Sequence, residues 1–336
     1  MKNNSLMEQV KTHLETIKRV QGVENAVLTQ RDGNPIQSVG VWLSPDEVFK
    51  VSAATSAIFN CGIELYPTNL KYILIEGKRA KILLAPLRNT DNKAIDRIVE
   101  SQGLLEGDNE FYTAITAQPN INLGGIFLKT RQSLIEIKKA LIMSGESFKP
   151  PLRNYSEEEV ADLLDSFSVK QDLEHDCFIH NQSVSIDEET SQELDKALHE
   201  LSKKVMDLNR AFVTIEGGFL AGQIQKHKTI PQYQLDAEAS MSFSLFSTAD
   251  QCAWLLKKMQ VSSILIECTD KFQFINRLSE GVFSVQVSKG NQRLGLLRMI
   301  LPKYIGRMAS ILAAAKTTEV TDKLDLKSLF GELMIQ

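Results

Sequence analysis

Three short blocks of this sequence recur in the same order, and that ordered recurrence narrows the folds open to the chain more than any other feature. Ala26-Val27-Leu28-Thr29, followed by Asp32-Gly33, returns as Ala211-Phe212-Val213-Thr214 followed by Gly217-Gly218, an offset of 185 residues. Ile73-Leu74-Ile75-Glu76 returns unchanged as Ile264-Leu265-Ile266-Glu267, at an offset of 191. Asn120-x-x-Leu123-Gly124 returns as Asn291-x-x-Leu294-Gly295 at an offset of 171, so the first copy carries about 20 extra residues between these last two landmarks. Each block alone is short; their shared order makes duplication of one module the better explanation. A chain of 336 residues has room for about two cores of ordinary size.

Both copies read as one order of elements, αββαβββα. In the first, Leu6, Val10, Leu14, Ile17 and Val20 recur at helical steps and Gly22 ends the helix. Residues 23–30 and 35–41 form a hairpin about Asp32-Gly33, with positive φ expected at both turn residues. Ser44-Pro45-Asp46-Glu47 is a helix start: the serine accepts a backbone N–H, proline suits the first position and the acids suit the positive end of the helix dipole. That helix is expected to run to Cys61 and stop at Gly62. Three β-rich runs follow at 70–76, 80–87 and 110–117. A last helix, beginning between Asn122 and Thr130, carries Leu134, Ile137, Ala140 and Leu141 on one face.

The second copy reads as a helix at 190–206, a hairpin at 210–225, a helix from Asp236 to Met259, and strands at 261–268, 271–278 and 281–288. Its last helix runs to Ala315, and Pro302 either kinks that helix or marks its first turn. The expected fold class is α+β: two tandem domains, 5–145 and 190–316, each a five-stranded antiparallel sheet with helices packed on it. The first holds a surface excursion at about 88–108. A linker, 146–189, joins the domains and a tail, 317–336, follows.

Residues 154–200 hold fourteen Asp/Glu against two Lys/Arg, a net charge of −12, which leaves +8 for the rest of a chain of net charge −4. Both values are too modest, and the basic residues too scattered, for a nucleic-acid footprint. No apolar run reaches the roughly 20 residues that span a bilayer, and the amphipathic start is unlike a signal sequence, so a cytoplasmic protein is expected. Cys61, Cys177, Cys252 and Cys268 share no close spacing, which argues against a disulfide framework.

No phosphate-binding loop, serine-hydrolase elbow or zinc-protease motif occurs. No catalytic residue, cofactor or metal is therefore assigned. His175, Cys177 and His180 lie close together in the linker but fall short of the four ligands a structural zinc site wants, so a plain acidic linker is favoured. Behind Ser156-Glu157-Glu158-Glu159, the stripe Val160, Leu163, Leu164 and Phe167 predicts a short helix. It either anchors on one of the chain's own domains, the favoured reading, or fits a groove on a partner.

A module of this order, with GVENAVLTQRDGNPIQS opening its hairpin, KYILIEGKRAKILLAPL as its central strands and NINLGG before its last helix, resembles the roadblock family. That family shares the profilin/longin-like architecture and is named for a dynein light chain. The second copy departs in its Gly217-Gly218 turn, in a second strand and loop seven residues longer (an offset of 185 becoming 192 at Asp236), and in a helix start without proline. The resemblance implies a non-catalytic interaction module that regulates or scaffolds a small Ras-like GTPase. The alternative is a structural scaffold or motor-adaptor subunit that pairs with other roadblock or longin-type proteins without contacting a GTPase.

The resemblance also implies pairing, with middle helices side by side and sheets joined edge to edge, within one chain or in a homodimer. Small residues at helical spacing, Ser52, Ala53, Ser56 and Ala57 in the first middle helix and Ala237, Ser240, Ser244 and Ser247 in the second, suit such a pairing or partner interface. If the chain stimulates hydrolysis, the family implies that it repositions the GTPase's own residues. No arginine finger is assigned among Arg31, Arg79, Arg131, Arg293 and Arg307.

Overall fold

The computed structural model describes residues 2–40, 44–88, 110–144, 182–184, 186–227, 229–290, 294–315 and 317–319. The first elements are α1 (Lys2–Lys18), β1 (Val23–Gln30), β2 (Pro35–Gly40), α2 (Pro45–Leu65), β3 (Leu70–Gly77), β4 (Lys81–Pro86), β5 (Phe111–Ala117) and α3 (Leu123–Ser144). After β6 (Gln182–Val184) come α4 (Glu188–Lys204), β7 (Leu208–Ile215), β8 (Leu220–Gln225), α5 (Gln232–Lys257), β9 (Val261–Cys268), β10 (Lys271–Arg277), β11 (Gly281–Ser288) and α6 (Leu294–Ala314). The short strand β12 (Thr317–Glu319) pairs antiparallel with β6, joining the start of the tail to the end of the linker.

Ten strands form one antiparallel sheet in the order β2-β1-β5-β4-β3-β9-β10-β11-β7-β8. Read outward from the β3–β9 pair, each half places its strands in the same sequence order: third, fourth, fifth, first, second. The repeated tetrapeptide lies at the centre and faces itself. Ile73 pairs with Ile266, Leu74 with Leu265 and Ile75 with Ile264. All four isoleucines are fully buried; burying an aliphatic side chain of this size contributes about 1.5–3 kcal/mol.

Alternation along the strands supplies two apolar faces. Val27, Ile73, Ile75, Ile82, Leu84, Ile264, Ile266 and Ile275 pack with Ile58 and Phe59 of α2 and Leu245 and Phe246 of α5. Leu28, Leu74, Leu83, Ile115, Leu265, Phe274, Phe283 and Val285 pack beneath α1, α3, α4 and α6 on the other face. The sheet is therefore the middle of three layers.

The start of α2 forms as its residues dictate. Ser44 Oγ accepts from Glu47 N at 3.2 Å, Glu47 Oε2 accepts from Ser44 N at 2.8 Å, and Pro45 opens the helix. Gly62 does not end it: α2 continues to Leu65, and Gly62 is accommodated inside the helix because an added Cβ would collide with the Ile73 side chain. In the first hairpin only Gly33 has positive φ, at 94°. Asp32 instead turns its carboxylate to Asn34 N, 2.9 Å away, so the reversal is longer than a two-residue turn.

The middle helix of the second half starts at Gln232, four residues before the expected Asp236, with Pro231 at its N-cap; proline is present after all. Asp250 fastens its far end, accepting from Val261 N at 2.7 Å and pairing with Arg277. Pro302 lies inside α6 rather than at its start. Most of the excursion at 88–108, the linker stripe from Val160 to Phe167, the His175/Cys177/His180 cluster and the tail beyond residue 319 lie outside the described residues.

Candidate interaction surface at the central seam

The seam where β3 meets β9 is closed on both faces of the sheet. On one face α2 packs against α5. Cys252 Sγ of α5 donates to Ala54 O of α2 at 3.2 Å, and Cys61 of α2 and Leu256 of α5 pack against the same core.

The residues nominated from small-residue spacing fall in several places. Ser52 and Ser56 turn toward their own sheet, Ser52 Oγ lying 3.1 Å from Thr29 Oγ1 and Ser56 Oγ donating to Arg31 O at 2.6 Å. Ala53 lies beside the Gly33 turn, and Ser240 beside the Gly217-Gly218 turn, where a Cβ on Gly218 would stand 2.7 Å from Ser240 Cα. Ala57, Ala237 and Ser244 are exposed and Ser247 is half-buried.

The loop after α2 reaches across the seam. Tyr66 is buried, and its hydroxyl donates to Gln273 Oε1 of β10 and accepts from Gln286 Nε2 of β11 at 2.9 Å. Gln273 Nε2 continues to Ser242 Oγ of α5 at 3.0 Å and to Ser284 Oγ at 2.7 Å. Gln286 Nε2 also donates to Glu238 Oε1 at 3.1 Å, and Glu238 pairs with Arg210 of β7 at 2.7 Å, both side chains buried. The Lys271 ammonium sits 4.4 Å from the centre of the Tyr66 ring. One tyrosine of the first half thus completes a polar network built by four elements of the second. A buried network of this kind is stable only while its members stay paired.

The return contacts come from the other end of the seam. Lys257, at the end of α5, pairs with Glu24 of β1. Met259 fills the space beside Gly77, its sulfur accepting from Ala80 N at 3.2 Å, and Arg79 Nη1 donates to Lys258 O at 3.0 Å. On the opposite face Arg298 of α6 grips Glu76 of β3 with two bonds, Nη1 to Oε1 at 3.2 Å and Nη2 to Oε2 at 2.8 Å; Lys81 pairs with the same carboxylate. Phe127 of α3 packs on Tyr72 at 5.2 Å between ring centres. Beside these contacts Leu128 of α3 and Met299 of α6 are 55% and 80% exposed.

Burial governs the titration of groups near the seam. It pushes the Cys252 and Cys268 thiols from 9.0 up to about 12, and raises the Tyr66 and Tyr112 phenols above their ordinary range. A folded-state pKa above the unfolded value means that the folded chain keeps a proton the unfolded chain has released. The stability these groups contribute is fully present below about pH 9 and is lost as pH rises toward 12. Unfolding midpoints are expected to fall across that window, and Cys252→Ala to flatten the fall by up to about 1.4 kcal/mol per pH unit. An unchanged slope in that variant would contradict the assignment.

Among the described residues no cluster of three or more His, Cys, Asp or Glu could hold a metal ion, and no helix is long and apolar enough to cross a membrane. Arg31 is bound to Asn60 Oδ1 at 2.6 Å, Arg79 to the Lys258 carbonyl, and Arg307 to Glu200 at 2.5 Å. Arg131 lies on the exposed side of α3, and Arg293 lies outside the described residues.

No protein-family model matches the sequence and no curated protein matches it. Among solved structures the chain is similar to MglB of Myxococcus xanthus, with 16% identity over 43% of this chain and 100% of that one and a TM-score of 0.34. It is similar also to a Roadblock/LC7 domain from Streptomyces avermitilis (15% identity, 41% and 95% covered, TM-score 0.31) and to the gliding protein MglB from Thermus thermophilus (15% identity, 39% and 96% covered, TM-score 0.35). Each of these roadblock-type likenesses covers about two-fifths of this chain.

Proposed function

We propose that this chain is a non-catalytic interaction module made of two tandem roadblock-type domains that pair with each other, and that it regulates or scaffolds a small Ras-like GTPase. The observation that carries the pairing is the seam itself. β3 joins β9 edge to edge while α2 packs against α5, within one chain. Internal pairing also covers the two strand edges that would otherwise be left open at the middle of the sheet, a recognised aggregation hazard. The GTPase partner rests on the resemblance of the hairpin, central strands and final-helix start to the roadblock family.

Arg31, Arg79 and Arg307 are each held by this chain's own groups. A stimulated hydrolysis would therefore come from reordering the GTPase's own catalytic groups rather than from an inserted arginine among these three. The test is binding of the full-length chain to each small Ras-like GTPase of its host, loaded with GDP or with a non-hydrolysable GTP analogue. Saturable binding to at least one, stronger in one nucleotide state, is the expected result. Absence of binding to all of them in both states would refute the GTPase role.

A further inference from the structure

Contacts on the two faces of the seam are made of unlike chemistry where the repeat relation would allow like chemistry. From these contacts we infer that the chain specifies an unlike pair: its first half is built to take its own second half, and each kind of like pair is penalised at a different place. This rests on reading the halves as equivalent modules and is independent of the GTPase partner.

On the face covered by α3 and α6, the offset of 171 matches Phe127 of α3 with Arg298 of α6, and the offset of 191 matches Tyr72 with Ser263 and Glu76 with Glu267. In the sheet Tyr72 stands opposite Glu267, and Ser263 opposite Glu76. Phe127 lies on Tyr72, while Arg298 occupies the matching place and holds Glu76 of the other half with two bonds. Pairing two first halves would set Glu76 opposite Tyr72 and beneath Phe127. The carboxylate, largely buried here, would keep Lys81 and lose its guanidinium. Removing one member of a desolvated charged pair is costly because the other stays buried.

On the face covered by α2 and α5, the offset of 191 matches Tyr66 with Lys257, and the residue after it, at the C-cap of α5, is also a lysine. Tyr66 enters a network that already holds the cations Arg210 and Lys271 beside the carboxylate of Glu238. Pairing two second halves would bring lysine instead of the tyrosine hydroxyl into that site, adding a like charge and leaving Gln273 and Gln286 without their shared partner. In the unlike pair the same Lys257 meets Glu24. One site therefore disfavours first with first, and the other disfavours second with second.

The register supplies the test. Leu74 faces Leu265 at the centre of the seam, and directly opposed residues of an antiparallel pair stand at about the 4.5–5.5 Å Cα separation that suits a disulfide. In the full-length chain, Leu74→Cys with Leu265→Cys is expected to close a bond within one chain, while either alone gives no chain-to-chain bond beyond the unsubstituted control. Chain-to-chain capture by Leu74→Cys or Leu265→Cys alone would show like halves pairing and overturn the inference; failure of the double variant to link would refute internal pairing itself.

The determinants are read separately, by light scattering. Glu76→Arg and Arg298→Glu are each expected to convert part of the single-chain species to larger ones, and the combined exchange to restore the single-chain species. Single variants that stay fully single-chain, or a combined variant no better than they are, would remove this pair from the specificity account.

Discussion

Arg210→Met is expected to lower folding stability by about 3–5 kcal/mol, because it strands the Glu238 carboxylate in a site with little water. Arg210 and Glu238 are 7% and 9% exposed and 2.7 Å apart. The remaining donor to that carboxylate, Gln286 Nε2, is shared with Tyr66 and cannot replace a guanidinium. Adding Glu238→Gln should recover most of the loss, since a neutral amide still accepts from Gln286 and no longer needs a counter-charge. Urea unfolding of the two variants checks both statements. A loss under 1 kcal/mol for Arg210→Met would mean that water reaches the pair.

The second large effect lies at the tyrosine that crosses the seam. Tyr66→Ala is expected to cost about 3–5 kcal/mol, as truncation of a buried aromatic does, and to leave Gln273 and Gln286 without their common partner. Tyr66→Phe keeps the ring and removes the hydroxyl, so a smaller loss of about 1–3 kcal/mol is expected. The contrast is informative: if both variants lost the same amount, the hydrogen bonds rather than ring packing would dominate. An exposed position on the same helix layer, Ser244→Ala, should stay within about 0.5 kcal/mol of the unchanged protein.

Much of the element order was legible because the signals were local. The Ser44 to Glu47 helix start forms its expected reciprocal bonds, and ILIE reads as a buried strand in both positions because it is one. Gly62 misled: a glycine after an apolar run normally stops a helix, but here it makes room for Ile73, a contact with a residue eleven positions on. The sequence signals the start of α5 four residues late because Pro231-Gln232-Tyr233 lacks a side-chain cap and its first turn is exposed.

The seam network was invisible for a different reason. Gln273 in KFQFINR and Ser284 and Gln286 in GVFSVQVS alternate with apolar residues, a pattern that normally marks a face open to water. In this fold α5 covers that face: Gln273 and Gln286 bond to Ser242, Glu238 and the incoming Tyr66, and Ser284 accepts from Gln273. Period-two alternation reports polarity; it does not report what lies above it. Ser52 and Ser56 carry the same lesson on a helix, where small polar residues that suggested a helix contact serve Thr29 and Arg31 of their own sheet. The one signal that could have pointed to Tyr66 is its position, a large residue between the end of a helix and Pro67 at the entrance to the repeated strand.

The central claim is that β3 and β9 of a single chain close the seam. Native mass spectrometry of an equal mixture of ordinary and isotopically heavy chains, unfolded together and refolded, tests it most directly. Internal pairing predicts only single-chain masses, near 37.6 kDa and its heavy counterpart. A dominant species containing one ordinary and one heavy chain, covalently linked once Leu74→Cys and Leu265→Cys are both present, would show that the seam joins different molecules.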